Sequence, residues 1–327
     1  MNKSALAAAA TAALLAPAPG AYAQSAQPYP AKPIRLIVPS APGGGTDIAA
    51  RLIAQGLTES LGHAVVVDNR GGAGGIAGVT VAAKHSAADG YTLVLGSNGH
   101  LSFASAINPK LPYDPQKDLT PISLVANQPF VLAISAAVPA NSIRELVALA
   151  KAKPGAVTYG SGGTGSASHL GVELFRIKSG ITLTHIPYKG TGPGMTALMS
   201  GELQMIMAGL ATVLPQAKSG KIKVLAVSGA QRSRMSPDTP TVAEAGVTGY
   251  EFNVWYGMMA PGGTPRPIVT KLATEIARLL KAPIVLERFA VAGLEPISNT
   301  PDEFAALLRR EIPEWNKIAK DANIRVE

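Results

Sequence analysis

Three glycine-rich segments are the part of this sequence best equipped for chemistry: Pro42-Gly43-Gly44-Gly45-Thr46-Asp47, Gly71-Gly72-Ala73-Gly74-Gly75 and Gly160-Ser161-Gly162-Gly163-Thr164-Gly165-Ser166. Each follows a short apolar run. Glycine lets consecutive backbone N–H groups turn toward one point, and a helix starting there adds the positive end of its dipole. The chemistry on offer is capture of an anion. For any one loop, tight packing of strand on helix is an equally open reading. Three such loops in matching positions shift the balance toward an anion cradle.

Other chemistries meet specific obstacles. No G-x-x-x-x-G-K-[ST] occurs, since Gly220-Lys221 is followed by Ile222. Gly72-Ala73-Gly74-Gly75-Ile76-Ala77 fits G-x-G-x-x-A, but Asp68, Asn69 and Arg70 lengthen the turn beyond what a dinucleotide fingerprint needs. His63, His85, His100, His169 and His185 show neither H-x-x-x-H nor H-E-x-x-H spacing, so they read as surface or loop histidines and no metal is expected. Ser166, Ser168 and His169 lie together at a helix start, yet a catalytic triad converges from separate elements and G-x-S-x-G is absent. Ser166 reads as a helix cap. Asp47 and Asp68 read as a first-turn acid and a strand-end turn residue. With no cysteine in the chain, disulfides, Cys-ligated zinc, iron–sulfur clusters and a thiol nucleophile are excluded. Neither an enzyme nor a cofactor is expected.

The elements that must position these loops alternate. Ile34–Val38 reads as a buried strand stopped by Pro39, followed by a helix capped at Thr46 or Asp47 with Ile48, Leu52, Ile53 and Leu57 on its apolar face. Strands at 64–67, 91–95, 131–134, 157–159, 183–186, 203–207 and 224–227 are separated by helices at 76–87, 142–152, 167–177, 196–200 and near 212–219. Short apolar strands between helices imply mostly parallel sheets covered on both faces. From Pro265 the chain is mostly helical, at 267–280, 283–291 and 301–322, with a strand at 294–297. These helices cannot bury their faces alone and should pack back on the first domain. Strand-like stretches at 122–135 and 252–260 read as two crossovers. The expected organisation is α/β: one discontinuous domain from residues 27–126 and 251–327, and a contiguous one from 127–250.

Composition agrees with two such domains. The chain has 327 residues, 47% of them apolar, which argues against disorder and exceeds one ordinary core. The first 23 residues read as a signal peptide: Lys3, a small-apolar run over 5–15, then Ala21-Tyr22-Ala23 as the cleavage site. Cleavage near Ala23 would deliver the rest to the periplasm of a Gram-negative cell. The formal net charge of +8 comes from dispersed Lys and Arg without aromatic interleaving, which speaks against nucleic acid. It suits long-range attraction of anionic solutes.

Several motifs, in order along the chain, carry a family resemblance. They are Tyr29-Pro30 to Pro33-Ile34, Val38-Pro39-x-x-Pro42-Gly43-Gly44-x-x-Asp47-x-x-Ala50-Arg51, Asp68-Asn69-Arg70-Gly71-Gly72-Ala73-Gly74-Gly75 and Asp89-Gly90-Tyr91-Thr92-Leu93. Pro187-Tyr188-Lys189-Gly190, Leu225-Ala226-Val227, Pro240-Thr241-Val242-x-Glu244-Ala245-Gly246 and Trp255-Tyr256-Gly257 follow. The set resembles the receptors of tripartite tricarboxylate transporters, also called Bug proteins.

That resemblance implies a two-domain periplasmic binding protein of the type II-like class, with two crossover strands as hinge. It implies closure over a small organic carboxylate held by backbone N–H groups and water. It also implies delivery to membrane permease subunits by a monomeric receptor. A ligand-sensing subunit for a sensor kinase is the alternative, and an exported hydrolase the third reading. Carried over residue by residue, the first-domain site is Ser40, Ala41, Pro42, Gly43, Gly44 and Thr46, with Ser97 and Asn98. The second-domain site is Ser161, Gly162, Gly163, Thr164, Ser166, Ser168 and His169, with Tyr188, Lys189, Ala208 and Gly209. Many relatives carry Asp or Asn in the segment matching Met205–Leu210, where this chain has nothing ionisable. An unpaired buried ammonium costs several kcal/mol, so the expected ligand is a non-amino organic acid.

Overall fold

The run Ile34–Val38 is apolar at nearly every position because both of its faces are covered. Ile34, Leu36 and Val38 belong to one core cluster and Ile37 to another. The computed structural model describes residues 29–40, 42–188, 190–321 and 324. The signal-peptide segment lies outside the described residues. So do two of the expected site residues, Ala41 and Lys189.

The first sheet contains β1 (Ile34–Val38), β2 (Val65–Asn69), β3 (Thr92–Ser97), β4 (Leu119–Gln128), β10 (Val254–Pro261) and β11 (Glu295–Pro296), in the order β11-β4-β10-β3-β1-β2. The second contains β5 (Phe130–Ser135), β6 (Thr158–Ser161), β7 (Thr184–Pro187), β8 (Met205–Gly209) and β9 (Ile222–Val227), in the order β7-β6-β8-β5-β9. Pairs of β1 with β2 and β3, and of β6 with β7 and β8, are parallel. The antiparallel pairings come from β10, β5 and β11, the first two being the strands that carry the chain across the hinge. The α/β two-domain architecture is as expected.

Helices cover the sheets: α1 (Gly45–Leu61), α2 (Ile76–His85), α3 (Ala104–Ile107), α4 (Ile143–Ala152), α5 (Ala167–Ser179), α6 (Thr191–Ser200), α7 (Leu210–Ala217), α8 (Arg266–Leu279), α9 (Pro283–Val291) and α10 (Pro301–Asp321). α8 and α10 pack against β4, so the C-terminal helices do return to the first sheet. One cap differs from expectation. The N-cap of α1 is Gly44, not Thr46 or Asp47, and it makes no side-chain cap bond. Asp47, one turn in, reaches back instead to accept the Gly43 N–H at 2.9 Å. A segment without apolar periodicity, Gly99–Phe103, forms a π-helical turn that runs into α3.

The crossing strands run side by side. Gln128 pairs with Val254, and beyond Pro129 the Ser228 N–H donates to the Phe130 carbonyl while Phe252 N–H donates to the Ser228 carbonyl, both at 2.8 Å. Beneath them Phe252 meets Phe103, Phe130 and Trp315 at ring-centroid distances of 6.0, 6.2 and 5.6 Å. These rings come from both domains and from α10, so the hinge rests on a shared aromatic cluster. Gly171 of α5 permits the approach, since a Cβ there would sit 2.9 Å from the Phe252 ring. Among the described residues no helix is long and apolar enough to cross a membrane.

Candidate functional site

A cavity of about 380 Å³ opens between the two sheets. Its first wall is built from Gly74 and Ile76 at the start of α2, and from Ser97, Gly99, His100, Ala104, Ile107 and Asn108 after β3. Its second wall is Gly162, Thr164, Gly165, Ser166 and Ala167, the turn from β6 into α5. His100 is the one titratable side chain among these lining residues. The surface is otherwise backbone, hydroxyl, amide and aliphatic groups.

The expected site residues therefore divide. Ser97, Gly162, Thr164 and Ser166 line the cavity. Ser161, Ser168 and His169 stand behind the loop and shape it. Ser161 is fully buried, its Oγ 2.7 Å from Nε2 of His185 and accepting the Gly163 N–H at 3.1 Å. Ser168 Oγ accepts the Gly162 N–H at 2.9 Å, and Nδ1 of His169 accepts the Gly165 N–H at 3.0 Å. Ser166 caps α5, taking the His169 N–H on its Oγ. Three glycine N–H groups are thus spent on the loop's own side chains. The Thr164, Ala167 and Ser168 N–H groups have no acceptor among the described residues, and these are the donors the loop can offer.

The support extends one layer deeper. His169 and His185 stack at 4.0 Å between centroids, and Tyr159 stacks on His185 at 4.8 Å. The Tyr159 hydroxyl donates to Glu173 at 2.6 Å, and Arg176 pairs with the same carboxylate at 2.8 Å. Burial pushes the His169 imidazole down to about 4, with the neighbouring His185 adding to the shift. His185 is lowered as well, again by burial. His169 on α5 and His185 on β7 are therefore neutral structural groups rather than the surface or loop histidines expected from their spacing. Stacking and burial, which spacing does not encode, make the difference.

On the first wall, Asn98 is 1% exposed and donates to the Asn253 carbonyl at 2.7 Å, which ties the wall to the second crossover. Nδ1 of His100 accepts the Ser97 N–H at 3.1 Å, and its ring is pushed by burial to about 4. A Cβ on Gly75 would strike the His100 ring, so the second glycine loop is needed for close packing against it. In the first glycine loop, Pro42, Gly43 and Gly44 are exposed and are not among the lining residues. Ser40 is held through its carbonyl, which accepts from Asn69 at 3.1 Å, and Thr46 is buried. Asp47 is the anchor there, accepting from Gly43, Arg51 and Asn69. Burial pushes its carboxyl up, but those three donors outweigh it and hold it below the usual range.

Two expected residues face elsewhere. The Tyr188 ring packs beside Gly160 and Gly194 in the cluster on the far face of the second sheet. Ala208 points into the same cluster, opposite Val131. Period-two alternation decides this, because neighbours on a strand point to opposite faces. Gly209, the N-cap of α7, touches Gln128 at the hinge.

Sequence reasoning missed Gly74, Ile76, Gly99, His100, Ala104, Ile107 and Asn108 on the first wall, and Gly165 and Ala167 on the second. The second glycine loop was the available signal for Gly74 and Ile76. Among the described residues no group of three His, Cys, Asp or Glu could hold a metal ion.

Comparison with known proteins places this geometry. The chain is 38% identical over 304 residues to Protein BugT of Bordetella pertussis, covering 93% of each chain. It superposes on the R. palustris protein Rpa4515, solved with adipate, with a TM-score of 0.79 and 36% identity over 91% of this chain and 99% of that one. MatC of Rhodopseudomonas palustris, solved with bound malate, gives a TM-score of 0.75 and 32% identity over 89% and 99% of the two chains. Residues 49–324 match the tripartite tricarboxylate transporter family receptor. This chain belongs to that family of receptors, which are not enzymes.

Proposed function

We propose that this chain is an exported receptor that captures a small, non-amino organic carboxylate between its two domains. In this reading the carboxylate is presented to the permease subunits of a tripartite tricarboxylate-type transporter. The single observation that carries the reading is the lining of the cavity. It pairs unspent N–H groups at Thr164 and Ala167 with the Ser97 and Ser166 hydroxyls and brings in no acidic side chain. Such a surface favours an anion over a cation or a neutral apolar solute. The relatives solved with adipate and malate support the ligand class.

In this proposal the domains divide as 27–126 with 251–327, and 127–250, and they close by bending at Gln128–Phe130 and at the strand returning through Phe252. Export rests on the signal-peptide pattern of residues 1–23, and the periplasm on that pattern and on the family. Native mass spectrometry of gently purified protein, followed by a thermal-shift panel of carboxylates, tests the ligand class. Binding raises apparent stability by mass action. A flat response across the panel would remove the carboxylate reading. The non-amino part is tested separately: tight calorimetric binding of aspartate or glutamate, with none of their deaminated analogues, would overturn it. A gene neighbourhood holding a two-component pair in place of permease subunits would favour the sensing role.

A further inference from the structure

A second cavity, of about 590 Å³, also lies between the domains and shares no lining residue with the cleft. Leu286, Leu294 and Glu295 of the first domain line it opposite Met235 of the second, and Asn127 and Asn253 of the crossing segments border it. The Asn253 carbonyl also accepts the Asn98 amide that ties down the first wall of the cleft. The crossing segment at Asn253 therefore stands between the two cavities, with the cleft in front and the second cavity behind.

Two contacts join the domains at the rear cavity. Ser233, 4% exposed, donates its hydroxyl to Oε1 of Glu295 at 2.8 Å, while its Oγ accepts the Met235 N–H at 3.2 Å. Among the described residues this is the one side-chain hydrogen bond that joins the domains without a residue of the crossing strands. Beside it, Gly293 ends α9. A Cβ there would strike the Ala211 methyl on α7 and come within 3.8 Å of Cε of Met235. Glycine lets the turn between α9 and β11 press directly on the second domain.

Two bodies that bend about strands placed between these cavities narrow one cavity as they widen the other. Closing the front cleft then stretches the Ser233–Glu295 bond and parts Gly293 from Ala211. A hydrogen bond to a charged acceptor shifts an equilibrium by about tenfold, and by less where the acceptor is partly exposed, as Glu295 is. We infer that these contacts form a brake behind the hinge, which holds the front cleft open without ligand, and that Glu295 sets its strength. The inference rests on the closing motion proposed above and adds what opposes it. The closed fraction of the unliganded chain scales its apparent affinity, so a weaker brake means tighter binding.

The absence of cysteine lets a pair of spin labels report the motion. Lys110→Cys lies two residues past Asn108 of the first wall, and Thr196→Cys lies on α6, whose first residue packs beside Gly162 of the second; both positions are exposed. Pulsed electron paramagnetic resonance on this labelled parent reads the distance between the domains without ligand. Glu295→Ala removes the acceptor, and Ala211→Leu drives a side chain against Gly293 and wedges the rear apart. Each should enlarge the short-distance population several-fold and tighten adipate binding about three- to tenfold in calorimetry. Glu295→Gln keeps an acceptor and should stay within about twofold of the parent. Lost packing alone would lower the temperature of thermal unfolding without tightening binding. If both Glu295→Ala and Ala211→Leu keep the parent's unliganded distances, or lengthen them, the brake is overturned. The closing motion survives that result when adipate shortens the distance in the parent. A parent that binds adipate with its distance unchanged overturns the closing motion and the brake together.

Discussion

The two walls of the cleft solve one problem with different materials. Each must hold glycine-rich backbone in a fixed shape, and each uses a neutral imidazole whose Nδ1 accepts a backbone N–H, Ser97 to His100 on one side and Gly165 to His169 on the other. The first domain adds a charge beside its wall, in the glycine loop that does not line the cavity: Asp47, almost wholly buried, ties Gly43, Arg51 and Asn69 together. The second wall has no charge on the loop itself. Its Ser161 hydroxyl leans on His185, on which Tyr159 stacks, and the Glu173–Arg176 pair sits a layer behind. A carboxylate anchor beside an anion site would repel the ligand if it faced the cleft, and Asp47 avoids this by being spent on three donors. The uncharged wall can bring its donors nearer to an anion, but its shape depends on histidines staying neutral.

Acid should expose that dependence, and this is the largest effect expected. The folded pKa values of His100 and His169, about 4 against an ordinary 6.5, lie below the unfolded ones, so the unfolded chain binds more protons between those limits. Stability from the two is then lost as pH falls through that window, by roughly 4 kcal/mol between pH 7 and pH 5. Glu311 works against them. Burial raises it to about 7, although Trp255 donates to it, so the folded state holds its proton where the unfolded chain does not. Acidification over the same range returns about 2 kcal/mol. Chemical denaturation at both pH values should show a modest loss in the wild type and the full loss in Glu311→Gln. Equal slopes would mean that Glu311 does not hold its proton.

Asp47→Ala should come next, at about 3 kcal/mol, because it leaves the Gly43 N–H and the Asn69 amide without their acceptor. Arg51 adds little to that figure, since its side chain is 55% exposed. Urea unfolding measures the cost. Asp47→Asn, which keeps an acceptor oxygen, should recover part of it. If the two variants lose equally, the charge rather than the hydrogen-bond geometry shapes the first glycine loop.

How much of this was legible in advance follows from what each residue encodes. Ile34–Val38 was legible because burial on both faces leaves Arg35 as the one polar position in the run. The α5 start was legible too, since Ser166 caps in the ordinary way. The α1 start was not: Gly44 caps it through backbone alone, and the acid expected at the cap is one turn inside. The 99–108 wall was invisible because a π-helical turn has no period to read. Site residues were harder. Composition located the glycine loops, but whether a serine in such a loop faces the cleft or the core depends on its neighbours in three dimensions. Ser161 and Ser166 show the two outcomes five residues apart.

His169→Ala sharpens the comparison directly, removing the acceptor for Gly165 and the stack on His185, for about 2 kcal/mol. Ligand affinity should fall with it, while His169→Gln, retaining an acceptor, should recover affinity better than stability. Calorimetry and thermal unfolding on both variants separate the two.

The smallest effect expected is also the finest test of the layering. Tyr159→Phe deletes only the hydroxyl that donates to Glu173, leaving Arg176 on that carboxylate and the ring stacked on His185. It should cost about 1 kcal/mol, since one bond to a charged acceptor is lost and the ion pair persists. Because the hydroxyl lies two contacts from the loop, ligand affinity should stay within about twofold. A tenfold loss of affinity at that small cost in stability would mean that the Glu173 charge acts through the stacked rings on the loop itself. The second wall would then carry a charged anchor after all, and the contrast with Asp47 would be one of distance alone.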